Sequence, residues 1–199
     1  MRRLLMLHTR FLTLAAIALL LLGGAPTPAR AAEPDLAARL TAPGHVLMLR
    51  HALAPGFGDP ANFRVDDCAT QRNLDDSGRA QARAIGDWLR ARGVQGATLY
   101  SSQWCRCLET ARLLDLGPVT ELPALNSFFE LAATREPNLA ALRGHLAGLP
   151  RDAGLVILVT HQVTISAIAG TGVASGEAVL LELQPDGGYA AVGRLRFDG

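Results

Sequence analysis

The amino-acid sequence contains no lysine: all 19 basic residues of the 199-residue chain are arginine, set against 18 acidic residues. Schiff-base chemistry and P-loop phosphate binding both need a lysine side chain, so neither is open to this protein. The formal net charge of +1 provides no broad basic field, and we therefore expect no nucleic-acid partner. Any anion must be bound by arginine, histidine or backbone N–H groups.

Long apolar runs are scarce, and the first of them has the arrangement of a secretory signal peptide. Residues 11–22 are mainly apolar, follow a basic start without acidic residues, and precede a proline-rich stretch that ends in Ala29-Arg30-Ala31. The run is too short to span a membrane, which takes about 20 apolar residues. We expect a signal peptide at 1–31, with cleavage after Ala31 or Ala32. The mature protein would then carry a net charge of −3 and be periplasmic or secreted, without stable membrane insertion.

Cysteine is also rare, and its three copies, Cys68, Cys105 and Cys107, fall in the part exported to an oxidising compartment. We predict one disulfide, from Cys68 to either Cys105 or Cys107, with one thiol left over. The alternative is three buried thiols that pack as small hydrophobic groups. A C-x-C pair with one distant cysteine lacks the usual spacing of a zinc site, so no metal is expected there.

Hydrophobic patterning after residue 45 alternates between strands and helices, which predicts an α/β fold. We expect a single domain at 46–199, preceded by an N-terminal segment at 32–45, with a mostly parallel central sheet inside a three-layer α/β/α sandwich. The predicted strands are 45–50, 97–101, 119–122 and 155–159, with a terminal hairpin of 178–183 and 189–197. The predicted helices follow the N-cap Asp75 as far as Gly93, then cover 104–114 and 137–149, and begin again near Gln162. Residues 53–67 read as a loop that covers a site.

Four cationic or titratable residues follow the ends of predicted strands: Arg50, His51, Arg106 and His161. Ligands of open α/β sheets bind beyond the carboxyl ends of the strands, so we expect these side chains to meet there. Two guanidinium groups can bind a phosphoryl group through several charge-assisted hydrogen bonds. Nearby cations lower the pKa of a histidine, which keeps one ring nitrogen nucleophilic while a backbone carbonyl fixes the other. In-line attack would form a phosphohistidine that water then hydrolyses, without a metal or other cofactor.

At four ordered motifs the sequence resembles the histidine phosphatase superfamily, the group related to phosphoglycerate mutase and acid phosphatases. The motifs are Leu49-Arg50-His51-Ala52, the stretch from Arg72 to Ala82, the stretch from Ser101 to Ala111, and Val159-Thr160-His161. The resemblance implies that His51 is the nucleophile and that Arg50, Arg106 and His161 bind the phosphoryl group. Gly78 and Gln81 are interpreted as capping and packing residues, and Ser102 as a residue that orients its loop.

The sequence departs from the family pattern beside both histidines, where Ala52 and Gln162 replace glycine. Neither change removes a charge that the mechanism needs, although the methyl group of Ala52 requires a negative φ. The general acid is not evident. Glu130 is the candidate for this role, and Glu121 is a weaker one. The alternative interpretation of Glu130 is a loop carboxylate that is exposed to solvent and has no catalytic role. Asp59 and Asn62 in the covering loop are further residues that could contact a substrate.

We therefore expect a metal-independent phosphomonoesterase that acts on a small phosphorylated substrate, such as a sugar phosphate or a lipopolysaccharide-core phosphate. A mutase fits less well, because the substrate loop is short and phosphorylated glycolytic intermediates are cytoplasmic. A module of the same fold that binds a phosphorylated ligand with little or no turnover is the alternative function. A hydrolase using Cys105 or Ser102 with His161 is disfavoured, since neither residue lies in a G-x-S-x-G elbow.

Overall fold

The computed structural model describes residues 33–197 of the chain. The predicted signal peptide at 1–31 and its cleavage site lie outside these residues. Within residues 33–197, no helix combines the length and the apolar character needed to cross a membrane.

A six-stranded sheet forms the centre of the molecule, and its strands are β1 (His45–Arg50), β2 (Thr98–Ser101), β3 (Val119–Glu121), β4 (Val156–Thr160), β5 (Ala178–Leu183) and β6 (Tyr189–Leu195). Their order across the sheet is β3-β2-β4-β1-β5-β6. Neighbouring strands from β3 to β1 are parallel, whereas β5 and β6 are antiparallel to their neighbours. The predicted, mostly parallel sheet with its terminal hairpin is confirmed.

Helices cover both faces of the sheet. In the described chain they are α1 (Glu33–Arg39), α2 (Asp76–Ala91), α3 (Cys105–Leu113), α4 (Arg135–Gly148) and α5 (Gln162–Ala169), with short 3₁₀ turns at Cys68–Thr70, Pro123–Leu125 and Ala132–Thr134. One core cluster joins α1, α2 and α3 to the sheet, and a second joins α4 and α5 to the opposite face. The three-layer α/β/α class predicted from the sequence is therefore observed.

Strand β1 shows why the central strands read as continuous apolar runs. Leu47 and Leu49 point into the first core cluster, whereas Val46 and Met48 point into the second. A parallel strand with helices on both faces has no solvent side, so each of these residues is buried. The apolar run at 155–159 has the same cause, because β4 lies beside β1 in the middle of the sheet.

Helix α1 lies in the segment 32–45, for which the sequence analysis assigned no secondary structure. Its Leu36 and the following Leu40 are buried in the first core cluster. Leu36 packs against the sheet so closely that a Cβ built on Gly193 in β6 would lie 2.5 Å from its side chain. The N-terminal segment thus completes the core next to the antiparallel edge of the sheet.

Two glycines let the backbone of α2 approach neighbouring segments. The carboxylate of Asp75 caps the helix by accepting a hydrogen bond from the N–H of Gly78 at 2.7 Å. A Cβ on Gly78 would lie 1.9 Å from the carbonyl oxygen of Leu53, and one on Gly86 would lie 2.1 Å from that of Leu114. These contacts support the packing interpretation of Gly78, and Gly86 sets the distance between α2 and the end of α3.

Two glycine-to-alanine substitutions inside helices should therefore have opposite effects on stability. Gly86→Ala should lower the free energy of unfolding by about 1–3 kcal/mol, because the new methyl group overlaps a backbone carbonyl that cannot rotate away. Gly144→Ala in α4 meets nothing within 4 Å and should raise it by about 0.5–1 kcal/mol through its better helix propensity. Urea denaturation of both variants tests this, and equal effects would show that Gly86 is not a packing constraint.

Candidate active site

The four residues predicted to carry chemistry meet at one edge of the sheet. Arg50 is the last residue of β1 and His51 follows it, His161 follows β4, and Arg106 is the second residue of α3 after β2. Strands β1, β4 and β2 are adjacent and parallel, and Arg50 pairs with Thr160 in register. Their carboxyl ends therefore open onto the same cavity.

This cavity has a volume of about 570 Å³, which is within the usual range for small-ligand sites. Its walls include the four predicted residues, together with parts of the loop 53–67 and of the segment 127–131. The loop therefore covers the site, as the sequence analysis predicted.

His51 is held in one tautomer at the floor of the cavity, where 2 % of its surface is exposed. Its Nδ1 lies 2.8 Å from the carbonyl oxygen of Ala52. A carbonyl can only accept a hydrogen bond, so Nδ1 carries the proton and Nε2 keeps a free lone pair. Burial, followed by the positive charge of Arg106, lowers the pKa of His51 to about 3. The ring is therefore neutral at physiological pH.

Ala52 fits at the position where the family pattern has glycine. It is buried, and φ is negative for every described non-glycine residue except Asp115. Its N–H donates to the hydroxyl of Thr110 at 3.0 Å, and that hydroxyl donates to the carbonyl oxygen of Arg106 at 2.7 Å. The Ala52 backbone thus orients the His51 ring and is itself tied to α3.

His161 lies beside His51, with 5.5 Å between the ring centroids. Its Nε2 is 2.9 Å from the hydroxyl of Ser102, which is itself 3.1 Å from Oδ1 of Asn126. Burial, then the neighbouring His51 and Arg106, lowers the pKa of His161 well below its usual value. Ser102 is fully buried and does not line the cavity, so it acts as a positioning residue for His161.

Arg106 forms a buried, bidentate ion pair with Asp59 from the covering loop. Nη1 donates to Oδ1 at 2.8 Å and Nη2 donates to Oδ2 at 3.1 Å, with side chains 4 % and 6 % exposed. The carboxylate also accepts from Nε1 of Trp104 at 3.0 Å and from the N–H of Arg72 at 2.9 Å. Burial raises the pKa of Asp59, but the hydrogen bonds from Arg106 and Arg72 outweigh it and place that pKa below its ordinary value.

Arg72 is a third arginine of the cavity, and the sequence analysis assigned it no role in the site. Its Nε donates to the carbonyl oxygen of Gly58 at 2.8 Å, and its Nη1 donates to that of Ala54. The side chain thereby holds the covering loop against the cavity. Arg72 is the first residue of the second motif, but the spacing of the sequence did not place its side chain in the cavity, because that position depends on how the loop folds back.

Two arginines that line the cavity each have a buried N–H donor without a partner in the described chain. Arg50 donates through Nη1 to the carbonyl oxygen of Val173 at 3.0 Å and to Oε1 of Gln162 at 3.3 Å. The Nε atoms of Arg50 and Arg106 are buried and have no hydrogen-bond partner among the described residues. Burial, then the positive charge of Arg106, lowers the pKa of Arg50, because two cations lie close together here. Unpaired donors beside a concentration of positive charge favour an anion.

The candidate general acids differ in their position. Glu130 is exposed but lines the cavity, and its Oε2 accepts a hydrogen bond from the N–H of Asp59 at 3.3 Å. Glu121 does not line the cavity and accepts instead from Nε2 of Gln103 at 3.2 Å. Asn62 is also absent from the cavity wall. Glu130 and Asp59 are therefore the two carboxylates in the described wall of the cavity.

The cysteines assist the architecture of the site. Cys68 and Cys105 form a disulfide, with Cα atoms 5.7 Å apart, and Cys107 is a buried free thiol. The bond joins the end of the covering loop to the residue that precedes Arg106. Burial raises the pKa of the Cys107 thiol to about 12, so it stays protonated. Neither Cys105 nor Cys107 can therefore supply a thiolate nucleophile.

In the part of the chain that the structure describes, no three His, Cys, Asp or Glu side chains are grouped to hold a metal ion. The charged groups that face the cavity are mainly cationic, and a phosphoryl group is the anion whose shape matches several guanidinium donors.

Comparisons with known proteins agree with this geometry. The family model of the histidine phosphatase superfamily (branch 1) matches residues 46–133. No curated protein sequence matches the chain. The protein histidine phosphatase SixA in complex with tungstate is 15% identical, with a TM-score of 0.56 over 77% of this chain and 97% of that one. A mycobacterial glucosyl-3-phosphoglycerate phosphatase in complex with VO3 is 18% identical, with a TM-score of 0.53 over 75% and 97% of the two chains.

A third similar structure is the product of an open reading frame of Mycobacterium tuberculosis, which is 15% identical, with a TM-score of 0.54 over 75% of this chain and 95% of that one. Identities this low show the shared fold alone. The sequence match at residues 46–133 covers three of the four motifs named above, and His161 follows in the same cavity. Residues 46–133 of this chain match the histidine phosphatase superfamily, branch 1.

Proposed function

We propose that this protein is a phosphatase that hydrolyses phosphomonoesters through a phosphohistidine on His51. The observation that carries the proposal is the state of the His51 ring: Nδ1 is bound to a backbone carbonyl, and Nε2 is unprotonated beside a cluster of arginines. A neutral imidazole with a fixed tautomer is a nucleophile, and the surrounding cations attract the phosphoryl group that it attacks.

The reaction begins when the phosphoryl group binds between Arg50 and Arg106, whose Nε atoms are free to donate. Nε2 of His51 attacks phosphorus, the N–P bond forms, and the P–O bond to the leaving group breaks on the opposite side. Arg50, Arg106 and His161 stabilise the charge on the equatorial oxygens. Water then attacks the phosphohistidine, releases inorganic phosphate and restores neutral His51.

The leaving oxygen needs a proton, and Glu130 is the group that we assign to this step. It lines the cavity on the side of the covering loop, where a leaving group directed away from His51 would pass. Solvent reaches this exposed carboxylate, so its proton can be replaced after each turnover.

A ligand-binding module with little turnover is the second candidate, and the ion pair between Asp59 and Arg106 is the observation that favours it. Both Nη atoms of Arg106 are occupied by Asp59, so a phosphoryl group must compete with that carboxylate or bind at Nε. Turnover in the wild-type protein separates the two candidates.

We also propose that the protein works in the periplasm or outside the cell, after cleavage of residues 1–31. The disulfide between Cys68 and Cys105 supports this location, because such bonds persist in oxidising compartments.

Replacement of the nucleophile tests the proposed function. His51→Ala should lower kcat for p-nitrophenyl phosphate by about 10³-fold or more, since Nε2 of the other cavity histidine, His161, is engaged by the Ser102 hydroxyl. The assay is run with EDTA, and the phosphohistidine is trapped by rapid quenching in alkali, where it survives. His145→Gln in α4 is the control, because this half-buried histidine lies outside the cavity. Full activity in His51→Ala would eliminate the proposed nucleophile.

The depressed histidine pKa values predict an unusual response to acid. Folded His51 stays neutral down to about pH 3, whereas an unfolded histidine binds a proton near pH 6.5. As the pH falls below 6.5, the unfolded state therefore binds protons that folded His51 does not bind, and folding becomes less favourable. Above pH 6.5 neither state binds this proton, and the full stability of the folded state is present. The free energy of unfolding should decrease by about 1.4 kcal/mol per pH unit for each of His51 and His161.

Denaturant titrations between pH 7 and pH 4 measure this slope. His51→Ala should reduce it by about 1.4 kcal/mol per pH unit, which is the contribution of one proton. NMR of the imidazole C–H groups provides a direct check, since the His51 resonance should not shift above pH 4. A His51 resonance that titrates near pH 6.5 would contradict the buried, neutral nucleophile.

The ion pair predicts how the protein responds to inorganic phosphate. Asp59→Asn leaves the buried guanidinium of Arg106 without a counter-charge. In phosphate-free buffer the free energy of unfolding should therefore fall by about 3–5 kcal/mol, and Tm should fall with it. Added phosphate should raise the Tm of this variant more than that of the wild type, because the anion no longer competes with a carboxylate.

Asp66→Asn is the matched control for that experiment, since the Asp66 side chain is 80% exposed in the same loop. It should behave as the wild type does. Equal phosphate shifts in Asp59→Asn and wild type would show that Asp59 and the anion do not share Arg106.

A further inference from the structure

The cavity has two chemically different halves. Its floor carries the cationic and histidine side chains described above, whereas its mouth carries Phe57, Phe129 and Leu131. These three are 87%, 51% and 44% exposed, and they account for three of the five large apolar side chains that are exposed among the described residues. Exposed apolar side chains concentrated at one cavity mouth are typical of a ligand-binding surface rather than of random surface composition.

Phe57 is presented at this mouth by a defined backbone turn. The glycines on either side, Gly56 and Gly58, have φ values of +98° and +66°. Residues that carry a side chain rarely adopt such positive φ values. A Cβ on Gly58 would lie 2.6 Å from Oε1 of Glu130, so the backbone passes directly against that carboxylate. The Gly-Phe-Gly sequence therefore directs the aromatic ring outwards.

The turn is anchored on both sides and is not a loose loop tip. Arg72 donates to the carbonyl oxygens of Ala54 and Gly58, which bracket the turn. The next residue, Asp59, is fixed by its ion pair with Arg106. The exposure of Phe57 is thus maintained by several buried polar contacts at its base.

Phe57 meets Phe129 edge to face, with ring centroids 5.1 Å apart and planes at 87°. The two rings come from different loops and form one continuous apolar surface at the cavity mouth. An edge-to-face pair leaves the outer ring surfaces open to a third apolar group, and aromatic ligands prefer such offset contacts.

The direction of the proposed reaction determines what passes these rings. His51 lies at the floor, and an in-line reaction places the leaving group opposite the nucleophile. The leaving group therefore points towards the mouth, where it can pack on the outer surfaces of the contacting Phe57 and Phe129 rings. The polar side chains of the outer wall are few, namely Ser127, Glu130 and Gln162. A sugar would require more directional hydrogen bonds than these can supply.

We propose that Phe57, Phe129 and Leu131 form a subsite for an apolar, preferably aromatic, leaving group, so that the substrates are small hydrophobic phosphomonoesters rather than sugar phosphates. This inference rests on the proposed phosphatase function and specifies its substrate class. It separates the recognition of phosphate at the floor from the recognition of the organic group at the mouth.

The kinetic test compares benzyl phosphate with glycerol 1-phosphate. Both are esters of primary alcohols, and glycerol is the more acidic of the two, so a preference for benzyl phosphate cannot arise from leaving-group ability. The wild type should favour benzyl phosphate about tenfold or more in kcat/KM. Phe57→Ser should reduce this ratio about tenfold, whereas Phe57→Leu should retain most of it. Val65→Ser is the control, because Val65 is an exposed apolar residue of the same loop outside the cavity.

An equilibrium measurement makes the inference independent of turnover. Benzylphosphonate should bind more tightly than methylphosphonate in calorimetry, and Phe57→Ser should abolish the difference. If this preference is found without hydrolysis of any ester, the subsite stands and the proposed phosphatase function falls. If both esters are hydrolysed equally and Phe57→Ser changes nothing, the function stands and the subsite is overturned.

Phe57 and Phe129 could instead serve as a lipid-binding surface, and the same variant tests that outcome. Sedimentation with phosphatidylethanolamine–phosphatidylglycerol vesicles, lost in Phe57→Ser, together with equal affinity for the two phosphonates, would overturn the substrate-binding role.

Discussion

The ion pair between Arg106 and Asp59 connects the parts of the molecule that form the cavity. Arg106 belongs to α3, which packs on the sheet, and Asp59 belongs to the loop that covers the site. A guanidinium buried this deeply is costly without a partner, so the loop must return to α3 for the fold to be stable. The disulfide from Cys68 to Cys105 reinforces the same connection one residue away. The path of the loop, and with it the shape of the cavity, follows from this constraint.

The same concentration of positive charge controls the histidines. Burial and the neighbouring arginines keep the imidazoles of His51 and His161 neutral, and fixed backbone and hydroxyl partners orient the rings. The folded protein loses the hydration of these groups and keeps an unprotonated imidazole nitrogen of His51 in the cavity at neutral pH. The decrease in stability at low pH and the unprotonated state of the rings at neutral pH are therefore two results of one arrangement.

Much of the fold could be predicted from the sequence because its elements have strong local signals. Asp75 caps α2 as predicted, and the buried runs at β1 and β4 lie at the centre of the sheet. The edge that holds Arg50, His51, Arg106 and His161 follows from parallel strand order alone. Helix α1 was not predicted, because its seven residues are too few for a clear periodic pattern and it is stabilised by packing against β6.

The sequence by itself determined the α/β class, the family match of residues 46–133 and the residues that follow the strand ends, because strand direction and residue spacing are local properties. The tertiary structure decided which cysteine pairs with Cys68, and it brought Arg72 and Asp59 into the cavity. It also placed Phe57 opposite Phe129, which lies 72 residues away in the chain. These relations depend on how an irregular loop folds back over the sheet edge. Ion pairing and burial between distant segments govern that path, and neither has a signature in the spacing of residues along the chain.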